Sequence, residues 1–357
     1  MKQDVLDALS GRFPKKIPSK ETLNHPGIIR HVSGLDVFED TPRAFDIAWR
    51  KLGIDIHVPL PKGNAPRPKV PGGTWVENGR RCADVGVYPT SMPIEVLPDI
   101  PKDSDDWVFR YDVSRDDFET AKEIATVRAT NAAFRRHFGD SAVMYHLYYT
   151  TLFMWAVVTF DWEPFMVAAA TDPERFDRKF WEPWARVSRK YFESLAAMDE
   201  EVVFCHDDLA MTRGPIFPPA FFEKYIFSRY KWIMEPVTRA GKKLIFVSDG
   251  NIDAFLERLL DFPIAGIMFE NPATPYQRVL DTWGKAGRGF IGGISTTVLT
   301  TGTPDEVRAH TRRVIEQGRE YPGLIISSCG GLYGNIPLDN MLAYFETRNR
   351  MGCPAEL

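Results

Sequence analysis

The chain has 357 residues, 44% of them hydrophobic and 26% charged, with a formal net charge of −4. It is therefore an ordinary globular protein, long enough to bury a sizeable core. That charge argues against nucleic acid as the main partner, because binding a phosphate backbone calls for a basic surface. No apolar run approaches the roughly 20 residues that span a bilayer, so no membrane partner is expected. Cys82, Cys205, Cys329 and Cys353 are too widely spaced for a disulfide framework or a paired-cysteine metal knuckle, and the opening Met1–Asp7 lacks the apolar stretch of a signal peptide. Both features point to a cytoplasmic chain with reduced thiols.

Residues 1–40 show only a helix at the start and are expected to form an N-terminal extension. Thr41-Pro42 opens a helix, with a cap residue followed by proline at the first helical position; Ala44, Ile47, Ala48 and Leu52 form its apolar face as far as Gly53. Ile54–Val58 follows as a strand. From 59 to 101 the chain is dense in proline and glycine, with a hairpin pattern around Asn78-Gly79. This stretch is expected to be an excursion from the main fold, either a lid or a contact in a homodimer. A helix over 115–138 leads to a strand over 142–146, then to a helical region over 151–199 with a helix start at Thr171-Asp-Pro-Glu174. Aromatic residues, 13% of the chain, crowd between Tyr145 and Trp184, which fits either a packed helical layer or a large apolar pocket.

The remainder is more regular. Short apolar runs begin near 202, 243, 265, 289 and 323, and one helical stretch separates each pair. Runs of this length without alternation are strands buried on both faces, and strict strand–helix alternation forces a parallel sheet. With strands ending at His57 and His146, and a further one near Ile94–Leu97, the count reaches eight. The fold class is thus α/β: one (β/α)8 barrel over 1–357, carrying the N-terminal extension and the excursion. No GxGxxG follows any strand, so a dinucleotide-binding fold gains no support.

Each apolar run ends in residues that packing alone does not require. In a barrel of this kind the active site is assembled from the carboxyl ends of several strands. His206, Asp207, Asp208, Asp249 and Glu270 are the catalytic candidates on that rule. Tyr145, His146, Tyr148, Asn271 and Ser295 are the candidates for binding substrate. Cys329 with some of His206, Asp249 and Glu270 would suit zinc, since a thiolate, an imidazole and a carboxylate are all zinc donors. Each has a plainer explanation. The histidine can bond backbone, Asp207 and Asp208 can cap a turn and pair with Arg213, Asp249-Gly250-Asn251 is a ready turn sequence, and Cys329 can be a small buried apolar residue.

Several pieces resemble the uroporphyrinogen decarboxylase-like superfamily and, within it, the corrinoid-linked methyltransferase branch. They are Lys51-Leu-Gly-Ile-Asp55, Ser248-Asp-Gly-Asn251, Gly293-Ile-Ser295 with Gly302-Thr-Pro-Asp-Glu-Val307, and Ser328-Cys-Gly-Gly331 with Pro337-Leu-Asp-Asn340. The resemblance covers the chain from about 140 onward and implies a (β/α)8 barrel. It implies one of two reactions. The first is transfer of a methyl group from a small O-methylated donor to a corrinoid (cobalamin) on a partner protein, or to tetrahydrofolate. The aromatic loop Tyr145–Trp155 inclines that reading toward a methoxy-aromatic donor. The alternative is metal-independent decarboxylation of an aromatic or pyrrolic acid. The decarboxylases carry an arginine-rich stretch near the N-terminus, where this chain has only Arg30 and Arg43. In the last loop Cys329 resembles the third zinc ligand of the methyltransferases, but Val247-Ser248-Asp249 stands where they place His-x-Cys. The resemblance therefore implies a ligand set other than His-Cys-Cys for any metal.

Overall fold

The computed structural model describes residues 2–70, 72–77, 80–88, 90–92, 106–328 and 330–352. Eight extended segments close into a parallel barrel. They are β1 (19–24), β2 (Ile56–His57), β3 (Val143–Met144, continued by Leu147–Tyr148), β4 (Val202–His206), β5 (Lys243–Ser248), β6 (Gly266–Phe269), β7 (Gly289–Gly293) and β8 (Leu324–Ser327). Parallel pairing runs from β3 to β8 in sequence order, and β2 pairs with β3. Ser19 bridges to Ile326 and Lys20 to Ile56, which closes the ring.

The first strand lies inside the expected N-terminal extension, so that expectation is corrected: 19–24 is part of the barrel itself. Ser19-Lys20-Glu21-Thr22 contains no apolar run, and hydrophobic patterning therefore passes over it. The strand expected near Ile94–Leu97 lies outside the described residues, as does the Asn78-Gly79 turn. The strands flanking that turn, Thr74–Glu77 and Arg80–Ala83, pair antiparallel, and Thr90–Met92 adds a third. This excursion is tied to the end of β1. Val87 N–H donates to the Asn24 carbonyl at 3.0 Å, and the Asn24 side chain bonds the backbone of Tyr88 on both sides. A Cβ on Gly86 would lie 1.8 Å from the Asn24 carbonyl oxygen, so only glycine fits that approach.

Alternate residues of each strand point inward. Ile56, Val143, Val202, Phe204, Ile245, Val247, Met268, Ile291 and Ile325 form one interior cluster with Val5 and Ala8 of the first helix, Lys2–Ala8, and with Leu9 just after it. That helix plugs the amino end of the barrel. Leu9 packs so closely on the starts of β6 and β7 that a Cβ on Gly266 or Gly289 would come within 2.9 or 2.6 Å of its side chain. The outward strand residues belong to the larger core shared with the helices.

The aromatic stretch resolves in favour of packing. Trp155 stacks on Trp184 at 4.0 Å and Tyr148 on Tyr191 at 4.2 Å, and Phe153, Phe160, Phe165, Phe176 and Trp181 are fully buried. The helical region is broken at Asp161, whose φ is 66°, and at Asp172. Asp172 is the residue that caps the next helix, through Arg175 N–H, while Thr171 closes the one before it. Thr303 and Glu306 form a capping box at the start of the helix Pro304–Gly318. Among the described residues no helix is long and apolar enough to cross a membrane.

Candidate active site

Strand parity decides which residues at the carboxyl end meet. In β4, Val202 and Phe204 face inward, so His206 does too, and Asp207 faces outward. His206 is almost fully buried. Its Nδ1 lies 2.8 Å from the Tyr149 carbonyl oxygen and must carry a hydrogen, because a carbonyl only accepts. Its Nε2 lies 3.0 Å from Asp208 Oδ1. Burial pulls the imidazole pKa down, but the bond to Asp208, the charges of Asp208 and Asp249 and the Tyr149 carbonyl outweigh it, and the pKa is pushed up to about 9. Burial works to raise Asp208, yet the His206 partner holds it below the usual carboxylate range.

Asp249 is delivered from the end of β5. Its backbone N–H donates to Asp208 Oδ1 at 2.8 Å. Gly250 then turns the chain with φ +75°, packed so tightly that a Cβ would sit 2.3 Å from the Ala210 carbonyl oxygen. Gly250 N–H donates to Glu270 Oε2 at 3.1 Å, which brings the end of β6 into the same cluster. Loss of water on its protein side, then the charge of Asp208, push the Asp249 pKa up, while His206 and Lys20 oppose the shift. Its outer side stays open to solvent. One ligand atom from each of His206, Asp208 and Asp249 lies within 4.8 Å of the others. Cys329 lies outside the described residues.

The remaining candidates do other work. Asp207 is fully buried behind the strand and accepts the backbone N–H groups of Leu152, Phe153 and Met154 at 2.7–2.8 Å, plus the Tyr230 hydroxyl at 2.8 Å. Burial pushes it up to about 6 even against those four donors. This corrects the expectation that it faces the mouth. His146 and Tyr148 also have outward parity: His146 Nε2 is 3.4 Å from the Tyr191 hydroxyl, and Tyr148 bonds Ser188 and Trp155. Asn271 spends its amide on the Gly293 carbonyl, joining β6 to β7. Ser295 caps the helix Thr296–Thr301 through Val298 N–H, and its own N–H donates to His310. Asp208 has no ion pair with Arg213 among the described contacts; its partner is His206.

Of the substrate candidates Tyr145 faces inward, packing edge-on against Phe204 at 4.6 Å beneath the ammonium of Lys20. Three residues at the mouth escape sequence reasoning. Tyr149 is 61% exposed with its ring 4.7 Å from that of His206, and it shares the parity of Tyr145, a usable signal. Tyr333 feels the charge of Asp249 and comes from the two-residue strand Leu332–Tyr333, which pairs with Leu23–Asn24 and is too short to show a pattern. Lys20 sits on the strand that patterning passed over. Beside it Glu21 points outward, fully buried, bonding Ser328 and Tyr344 and so tying β1 to the loop after β8.

No curated protein matches this chain. Among solved structures, a methyltransferase from Methanosarcina mazei has the same fold, with a TM-score of 0.67 over 98% of each chain at 16% identity. A psychrophilic glycoside hydrolase family 10 endo-beta-1,4-xylanase aligns over 62% of this chain and 80% of its own, at 13% identity and a TM-score of 0.35. The model of the uroporphyrinogen decarboxylase (URO-D) family matches residues 151–351, more than half of the chain and the part that builds β4 to β8, and the chain belongs to that family.

Proposed function

We propose that the chain is a methyltransferase that removes a methyl group from an oxygen of a small O-methylated substrate at the barrel mouth. The acceptor would be the reduced corrinoid of a partner protein, or tetrahydrofolate. The observation that supports this reading most is the convergence of His206, Asp208 and Asp249 within 4.8 Å at the open end of the barrel. The like-folded chain from Methanosarcina mazei, named a methyltransferase, agrees with it.

The donor set fits a metal. One imidazole nitrogen and two carboxylate oxygens suit zinc or a similar divalent ion. The Tyr149 carbonyl locks Nδ1–H of His206 and leaves Nε2 as the donor, the orientation that metal-binding histidines are usually given. His206, Asp208 and Asp249 would hold the ion, and a Lewis acid there would draw charge from an ether oxygen. The protein's own contribution is orientation. The loop 149–154 is pinned to the end of β4 at three points, through the Tyr149 carbonyl, Thr151 N–H on the His206 carbonyl, and the three N–H groups on Asp207. The plug helix and the apolar interior keep water out from below. As the methyl carbon departs, the bonding pair stays on oxygen, which then needs a proton or a positive neighbour.

The family name favours decarboxylation as the second reading. Against it, Arg30 and Arg43 are exposed on the outer helices Pro26–Ser33 and Thr41–Leu52. The test is to incubate the protein with cob(I)alamin, or with tetrahydrofolate, and a panel of methoxyarenes, following the corrinoid absorbance and the demethylated product, with metal analysis in parallel. Methyl transfer that is lost on chelation supports the proposal. Release of CO2 from an aromatic or pyrrolic acid, unaffected by chelation and without methyl transfer, would sink it.

A further inference from the structure

Lys20 is 1% exposed, the least accessible lysine at the mouth. Its backbone pairs with Ile56, whose side chain belongs to the barrel interior, so the lysine stem runs through apolar surroundings. The head rises toward the carboxyl end. Nζ donates to Thr22 Oγ1 at 2.7 Å, lies 4.4 Å from the centre of the Tyr145 ring, and its charge acts on Asp249. Taking an ammonium out of water is costly, and a methionine would fill the same space without that cost. An ammonium kept out of water beside the residues gathered at the carboxyl end of the barrel is the pattern of a functional group more than a stabilising one.

His206 is poorly placed to give up a proton itself. Its Nδ1–H is committed to the Tyr149 carbonyl, and its Nε2, turned toward Asp208, is the nitrogen that would hold the ion. An ammonium carries three hydrogens on a rotatable head, and its ordinary acidity is close to that of a phenol. We infer that Lys20 is the proton donor to the departing oxygen, a role that rests on the methyl-transfer reading. As the carbon–oxygen bond breaks, its electron pair passes to oxygen and an Nζ proton moves onto that oxygen. The methyl group bonds to the electron pair of the reduced corrinoid, and the amine left on Lys20 regains a proton from water.

The test uses leaving groups. Transfer from anisole and from 4-nitroanisole to cob(I)alamin is measured for wild type, Lys20→Met and Lys20→Arg, with thermal unfolding of each. Lys20→Met is expected to unfold no earlier than wild type and to lose about 100-fold with anisole, within the range typical of a lost general acid. With 4-nitroanisole, whose phenolate needs little protonation, the loss is expected to be at most a few-fold. Lys20→Arg, a weaker acid of the same charge, should fall between them on anisole and match wild type on 4-nitroanisole. Equal losses on both ethers, or none, would overturn the assignment. If Lys20→Met fails to fold, the ratio measured on Lys20→Arg decides alone. Wild type inactive with every donor would overturn the methyl-transfer reading and this role together, whereas an active wild type with an unchanged ratio in the variants would remove only this role.

Discussion

The two faces of β4 put chemically identical groups to opposite uses. On the outer face Asp207 is sealed between strand and helices and meets four donors, so burial and hydrogen bonding act on it in opposite directions. On the inner face Asp208 meets an imidazole, and Asp249 stands beside it, open to the mouth. Asp207 and Asp249 both have raised pKa values, and burial is the largest cause in each; at Asp207 four hydrogen-bond donors oppose it, whereas at Asp249 the like charge of Asp208 adds to it. A shifted carboxylate therefore marks a functional group only when its neighbours are incompletely satisfied and within reach of solvent.

That contrast can be tested by substitution. Asp207→Ala strands three backbone N–H groups and a tyrosine hydroxyl, and should cost roughly 3–5 kcal/mol, as when one partner of a buried charged network is removed. Denaturant unfolding would show it, and a loss under 1 kcal/mol would remove the distinction between the faces. Asp249→Asn should instead change stability little while lowering methyl transfer about 10²–10⁴-fold, the range for a lost acid–base group, and His206→Ala should lower transfer as far but also lose the buried pair with Asp208. Equilibrium dialysis with zinc should show binding weakened at the same time.

A pH series sharpens the comparison further. His206 has a folded pKa of about 9, above the roughly 6.5 expected when unfolded. Its contribution to stability is thus fully present below about pH 6.5 and lost as pH rises through about 9. Metal-free wild type should lose more stability than His206→Gln between those limits, as read by urea unfolding. Parallel curves would mean that the His206–Asp208 pair is not formed. The smallest effects belong to the outward candidates. Tyr148→Phe removes the bonds to Ser188 and Trp155 and should cost about 1 kcal/mol. Ser295→Ala removes a helix cap and should cost about the same. Neither should alter turnover.

Much of the barrel is legible in the chain because its strands, buried on both faces, must be apolar for most of their length. The runs beginning at 202, 243, 265, 289 and 323 announce themselves, and so does the polar residue that closes each. The first strand does not. It carries a lysine into the barrel and a glutamate into the outer layer, which hydrophobic patterning reads as loop. Parity was available in principle, since residues two apart share a face, and applied strictly it separates Tyr145 and Tyr149 from His146 and Tyr148.

What one chain of letters cannot state is which neighbour a polar side chain meets once it has turned inward or outward. Asp207 and Asp208 are indistinguishable as written. One peptide step places the first among backbone N–H groups from 152–154 and the second against an imidazole on its own strand. Local patterning follows from the cost of burying apolar or polar surface, which each residue carries with it. The partners of a buried charge are set by long-range closure of the barrel, which brings together segments as distant as Lys20, His206 and Asp249.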